Sequence, residues 1–296
     1  MSGICYKGRL DGIDIAINYI DAFEIINKAV ILHNCDPVAA HILGRCMMAA
    51  IMSASILPEG HRINISWKYP GSLKTVVVDA GQDGATRAMI YPAQLSEAEN
   101  KEELFGDIGN INVVTTKDGK ILNSGTTPVS LHDPVNDLAY HFSISDQVET
   151  SIRNIIALKA NIETPVSLAH GIMIQALPNC NLGSFERVRA SMHSQDSLDS
   201  FKRLVSGKEI LVFLENLAKH EKGFTKVIVE ESAAPFFSCN CSKEKMSSVI
   251  RSLPIPERIA IVKKNEDVLI NCHFCAQRYV LTIDECIDAW NTKIVD

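Results

Sequence analysis

Two cysteine pairs near the C-terminus constrain this chain more tightly than any other feature. Cys239-Asn240-Cys241 and Cys272-His273-Phe274-Cys275 are separated by residues 242–271. Two close pairs of thiolates, brought together by a fold, supply the four tetrahedral donors that zinc takes at about 2.3 Å. The second pair has the form of a zinc knuckle, with a strand leading in over Val268 to Asn271 and another leading out over Tyr279 to Leu281. Thr282 and Glu285 make a capping box that starts a helix through Trp290. The first pair precedes a helix at about Lys243 to Ser252, stopped by Pro254, and a helix N-terminus favours thiolate over thiol. Apolar content here is thin, and a domain so small needs a staple, for which a structural zinc supplies roughly 10–16 kcal/mol of apparent folding free energy. The sequence therefore predicts one zinc ion held by Cys239, Cys241, Cys272 and Cys275, in a domain that unfolds without it. His273 is a spare donor beside a complete set, and Cys286 reads as a packed helix residue.

A site of this kind is either a permanent staple or a switch. Most four-cysteine zinc sites are structural. Against that, Cys239 and Cys241 are separated by one residue, closer than the usual two to four, and a disulfide between them would close a strained, labile ring.

Composition removes several function classes. The formal net charge is −6 over 296 residues, which speaks against a nucleic-acid partner, since that needs a cationic face. The most apolar stretch, Cys46 to Leu57, is shorter than the roughly 20 apolar residues of a membrane span and is interrupted by serines. The first ten residues show no secretory pattern. Nine cysteines, an odd number, suit a reducing compartment better than a disulfide framework. The expectation is a soluble cytoplasmic chain with neither nucleic acid nor membrane as a partner.

The elements predict an α+β fold: an N-terminal antiparallel sheet domain with helices over 1–181, a helical linker over 182–231, and a small four-cysteine zinc domain over 232–296. Asp36 and Pro37 begin a helix that Pro58 and Gly60 end. Met47, Met48, Ile51 and Met52 form its core face or an exposed apolar binding patch. Alternation at Ile63, Ile65 and Trp67, a valine-rich run from Lys74 to Ala80, and turns at Asp83-Gly84 and Asp118-Gly119 predict consecutive antiparallel strands. The opening segment shows little periodicity. Helices are expected at Pro134 to Phe142 and Ser145 to Lys159, and a strand from Gly171 to Leu177. Ser206 and Glu209 form a capping box ahead of Ile210, Phe213, Leu214 and Leu217, which share one face. A strand-like run covers Thr225 to Val229, and Ser232-Ala233-Ala234-Pro235 marks a boundary.

Taken together these residues resemble the redox-regulated 33-kilodalton heat-shock chaperones of bacteria. The resemblance rests on the Cys-X-Cys and Cys-X-X-Cys pairs, on Gly171-Ile172-Met173-Ile174-Gln175-Ala176-Leu177-Pro178, and on Asp137-Leu138-Ala139-Tyr140 with Ser145-Asp146-Gln147. It spans nearly the whole chain in order. Arg87-Ala88 stands where the family usually has Arg-Gly, and His170-Gly171 where it has Gly-Gly. The resemblance implies an ATP-independent holdase that is inactive when reduced and zinc-bound. On oxidation Cys272 would pair with Cys275 and Cys239 with Cys241, zinc would be lost, the zinc domain would unfold, and the linker would loosen. Unfolding or oxidatively damaged client proteins would be the partners, and the active form a homodimer. A phosphate-binding loop is missing before both Gly207-Lys208 and Gly119-Lys120, and no catalytic constellation predicts an enzyme. The competing classes are a dithiol oxidoreductase using Cys272 and Cys275, which would need a thioredoxin-like βαβ unit, and a zinc-ribbon adaptor.

Overall fold

A computed structural model describes residues 3–291. The chain is α+β and divides into two compact units, Met1–Phe237 and Ser238–Asp296. The first unit runs β1 (Ile4–Asp11), β2 (Ile15–Asp21), α1 (Phe23–Leu32), α2 (Pro37–Ser55), β3 (His61–Lys68), β4 (Thr75–Gly81), β5 (Ala85–Tyr91), α3 (Lys101–Phe105), β6 (Gly109–Lys117), β7 (Lys120–Val129), α4 (Pro134–Ser145), β8 (Thr150–Leu158), β9 (Val166–Ala176), α5 (Leu182–Met192), α6 (Gln195–Phe201), α7 (Gly207–Ala218), β10 (Lys226–Glu231) and β11 (Phe236–Phe237). One sheet has the order β10-β1-β2-β9-β8, the other β11-β5-β4-β3-β6-β7. Every pairing in them is antiparallel except β11 on β5.

Helix α2 lies in the core between the two sheets. Asp36 caps it by accepting from Ala39 N at 2.8 Å, and Pro37 occupies its first turn, where no amide is needed. The same carboxylate accepts from Leu95 N and Ser96 N, so one side chain fixes both the helix start and a loop. The helix is long and apolar enough by composition to cross a membrane, yet most of it is buried here. Met47, Met48 and Met52 are fully buried, which makes that face core and removes it as an exposed patch. Around it pack Ile20, Met173 and Ile152 from the first sheet and Ile65, Trp67, Val76 and Val78 from the second. The indole of Trp67 donates to Pro134 O at 2.8 Å, satisfying its one polar atom.

The outer face of the first sheet carries a second core. Leu10, Ile15, Ile17, Tyr19, Ile172 and Ile174 meet Phe185, Val188, Phe201, Phe213, Leu214 and Leu217 from α5, α6 and α7. The capping box of Ser206 and Glu209 is formed. Phe201 stacks on Phe213 with ring centroids 5.2 Å apart and meets Tyr19 edge-on at 6.0 Å. His170, buried on β9, lies against Phe201 O with its Nδ1 at 3.0 Å and has its Nε2 3.8 Å from Asp21.

One expectation fails, and one segment for which none was given takes a definite form. Ser145 to Lys159 is not a helix: α4 ends at Ser145, and Thr150–Leu158 is a strand paired along β9. The run is rich in β-branched residues, and pairing with β9 decides against a helical reading of its apolar positions. The aperiodic opening is a β-hairpin followed by α1, closed at Gly12, whose φ of +85° glycine adopts at little cost.

The second unit contains α8 (Lys243–Arg251), α9 (Ile255–Lys264), β12 (Val268–Asn271), β13 (Arg278–Leu281) and α10 (Ile283–Asn291). β12 and β13 form an antiparallel hairpin. Its core is small: Ile250, Leu281 and Cys286, with Leu253, Val268, Ile270 and Trp290 packed around them. Trp290 Nε1 donates to Ile250 O at 2.8 Å, and Lys243 pairs with Glu285 at 2.5 Å, joining α8 to α10.

Candidate metal centre

The β12–β13 hairpin turns through Cys272 and Cys275. Cys272 N donates to Gln277 O at 2.9 Å, Ala276 N donates back to Cys272 O at 2.8 Å, and Ala276 takes a left-handed φ of 54°. This is the tight knuckle that the Cys-X-X-Cys spacing predicts. Cys239 and Cys241 arrive from the preceding segment. Cys241 stands just before Ser242, which caps α8 by accepting from Lys245 N at 3.3 Å. Lys245 Nζ returns to Asn240 O at 2.5 Å and fixes the loop between the two cysteines.

These local structures bring four sulfurs within 4.8 Å of one another. Cys239 Sγ lies 3.8 Å from Cys272 Sγ, and Cys241 Sγ lies 3.3 Å from Cys275 Sγ. A tetrahedron of thiolates about 2.3 Å from a central zinc has edges of about 3.8 Å. The donor set and its dimensions therefore fit a soft, tetrahedral ion such as zinc. It is the one such group of three or more His, Cys, Asp or Glu residues among the described residues. All four thiols are free, and Cys272 is the most buried. His273 is exposed beside the set and is not part of the group; Cys286 is fully buried in the small core, as its reading as a packed residue expects.

The four sulfurs are not equivalent. Burial pushes the Cys241 thiol up, but hydrogen bonds from Tyr279 and the neighbouring sulfurs outweigh it and bring it down to about 7. Burial holds Cys239 and Cys275 above the usual thiol range. The hydrogen bond to Cys241, followed by burial, pushes the Tyr279 hydroxyl up to about 12. Tyr279 escaped the sequence reading. It lies three residues beyond the left-handed turn, and only the closure of the hairpin brings it back against the other cysteine pair.

The chain is similar to known proteins over nearly its whole length. A family model described as Hsp33 protein matches residues 5–282. The 33 kDa chaperonin of Clostridium botulinum (strain Langeland) is 28% identical over 273 residues, covering 90% of this chain and 89% of that protein. The 33 kDa chaperonin of Shouchella clausii is 26% identical over 267 residues, covering 88% of each. The crystal structure of the 33 kDa chaperonin (heat shock protein 33 homolog) from Thermotoga maritima superposes with a TM-score of 0.81 over 100% of both chains at 20% identity, which establishes a shared fold. With its family model spanning nearly the whole sequence, the chain belongs to the Hsp33 family.

Proposed function

We propose that this chain is a cytoplasmic, ATP-independent chaperone whose holding activity is switched on by oxidation of a zinc-bound four-cysteine centre. The observation that carries the reading is the cluster of four sulfurs in a unit whose hydrophobic cluster is built on only Ile250, Leu281 and Cys286. The residue set Cys239, Cys241, Cys272 and Cys275 would hold one zinc ion in the reduced chain. When bound, zinc ties the four thiolates together and supplies folding free energy that so small a core lacks.

Oxidation removes the donors. A thiolate of Cys272 or Cys275 attacks peroxide, giving a sulfenic acid and releasing hydroxide, which takes up a proton to become water. The second sulfur of the pair displaces the sulfenic oxygen as a further water, so two thiols and one peroxide give one disulfide and two waters. Cys239 and Cys241 can react in the same way. Each disulfide leaves two fewer thiolates to bind metal, and the unit from residue 238 onward loses its staple. The segment 182–231, joined to it through 232–237, is the linker whose helices then loosen from the core domain of residues 1–181. Their departure bares Ile15, Ile17, Tyr19, Ile172 and Ile174, an apolar surface suited to unfolding or oxidatively damaged clients. The active form is a homodimer.

The test is zinc content and suppression of client aggregation on one sample before and after peroxide at mildly raised temperature. Stoichiometric zinc loss with activity only in the oxidised sample supports the switch. Zinc that stays bound, or activity indifferent to oxidation, makes the centre a static staple.

A further inference from the structure

Strand β10 occupies the edge of the first sheet like a bound peptide. It pairs antiparallel with β1 from Tyr6–Glu231 to Asp11–Lys226. Cys5 O accepts from Ser232 N at 2.8 Å and Asp11 O from Thr225 N at 3.0 Å, so the odd-numbered residues of β1 turn their backbone groups toward β10. By the two-residue period of a strand, Lys7 and Arg9 face the same way. β10 is distant from β1 in sequence and holds by ladder pairing, a Lys7–Glu230 ion pair at 3.4 Å and two apolar side chains: Val227 and Val229 pack on the outer core, while Ile228 is exposed. Cross-strand registration puts Val229 in a row with Gly8, Ile17 and Ile174, and Val227 in a row with Leu10, Ile15 and Ala176.

Gly8 makes this seat. A Cβ there would lie 2.0 Å from Ile228 O and 2.7 Å from Val229 Cα, so only glycine lets the added backbone come this close. An unpaired sheet edge beside a bared apolar face is a template for another extended chain.

We propose that β10 is an internal stand-in for client: when it leaves, the edge of β1 over Tyr6–Asp11 captures an extended, unfolded client segment by antiparallel strand addition. The occupant is a stretch of about six residues with apolar side chains at alternate positions, which fall over Gly8–Ile17 and Leu10–Ile15 where Val229 and Val227 sat. The main-chain ladder does not read client sequence, and the apolar rows select segments that belong in a folded core. This rests on the reading that residues 182–231 loosen on oxidation.

Hydrogen exchange on the full chain tests it, with reduced, carboxymethylated α-lactalbumin as a permanently unfolded probe. The amides of Lys7 and Arg9 are expected to be protected in the reduced chain, to lose protection after peroxide, and to regain it when the probe binds. Arg9→Pro removes an edge amide while leaving the β1–β2 ladder, and should form disulfides and lose metal like the parent yet hold the probe about tenfold more weakly. Probe bound with these amides still exchanging overturns the proposal, as does equal holding by Arg9→Pro. Protection that persists after oxidation means β10 has stayed and overturns it too. Protection that returns without probe, in proportion to protein concentration, assigns the edge to a second copy and equally overturns it. If Arg9→Pro does not fold, exchange in the parent chain decides alone. An oxidised parent that fails to hold the probe at all counts instead against the switch reading.

Discussion

The hydroxyl of Tyr279 donates to Sγ of Cys241 at 3.0 Å, across the hairpin that carries the other cysteine pair. Outer hydrogen bonds of this kind orient metal ligands and offset the charge on sulfur. Tyr279→Phe should keep the fold, since the ring remains, and weaken zinc binding by about tenfold. Competition with a chromophoric chelator measures this; an unchanged affinity would show that the hydroxyl merely fills a gap.

Removing the metal should unfold the second unit selectively. Chelation is expected to cost that unit about 10 kcal/mol of apparent stability, far more than a core of Ile250, Leu281 and Cys286 can replace. In a Trp67→Phe background the emission of Trp290, the other of two tryptophans, should shift red on chelation. Retained blue emission and retained helicity in α8 and α10 would sink the staple argument.

Docking of α5–α7 depends on an aromatic cluster. Phe201 is almost completely buried, between Tyr19, His170 and Phe213. Phe201→Ala should destabilise that layer by about 3–5 kcal/mol and raise hydrogen exchange across 182–218 before any oxidation. If docking of this layer is the brake, the reduced variant should also suppress client aggregation. A reduced variant as silent as the parent, with its helices exchanging freely, would place the brake elsewhere.

Acid should weaken the first unit below neutral pH. His41, His141 and His193 all titrate below the ordinary histidine value of 6.5, each chiefly because of burial, with Arg45 adding to it for His41 and Arg153 and Arg189 for His193. Their folded pKa values are depressed, so unfolding lets each take up a proton that the native state refuses. Stability therefore rises with pH across the window just below 6.5 and is lost as pH falls through it. Urea midpoints at pH 7.5 and about 5.5 check this; a midpoint that holds or rises on acidification contradicts it.

Much of this was legible in the residues, because the signals were local. Asp36-Pro37, Ser206 with Glu209, and Thr282 with Glu285 announce helix starts through hydrogen bonds within one turn, and all three starts stand in the structure. The α+β class followed from alternation and turn residues. Thr150–Leu158 was misread because a run of Ile, Ala and Leu does not separate helix from strand without its partner, and that partner, β9, follows a separate turn.

The sequence by itself determined the chemistry of the site: two cysteine pairs at fixed spacing name the donor type, and their tight local turns need only neighbours in the chain. Only the tertiary structure decided what depends on distant pairing. It set Tyr279 against Cys241, enclosed α2 between two sheets, and laid β10 along β1 with Gly8 as the point of closest approach. Those contacts join residues as far apart as Asp11 and Thr225. Nothing in either local pattern specifies the other, and it is burial of a shared apolar face that brings them together.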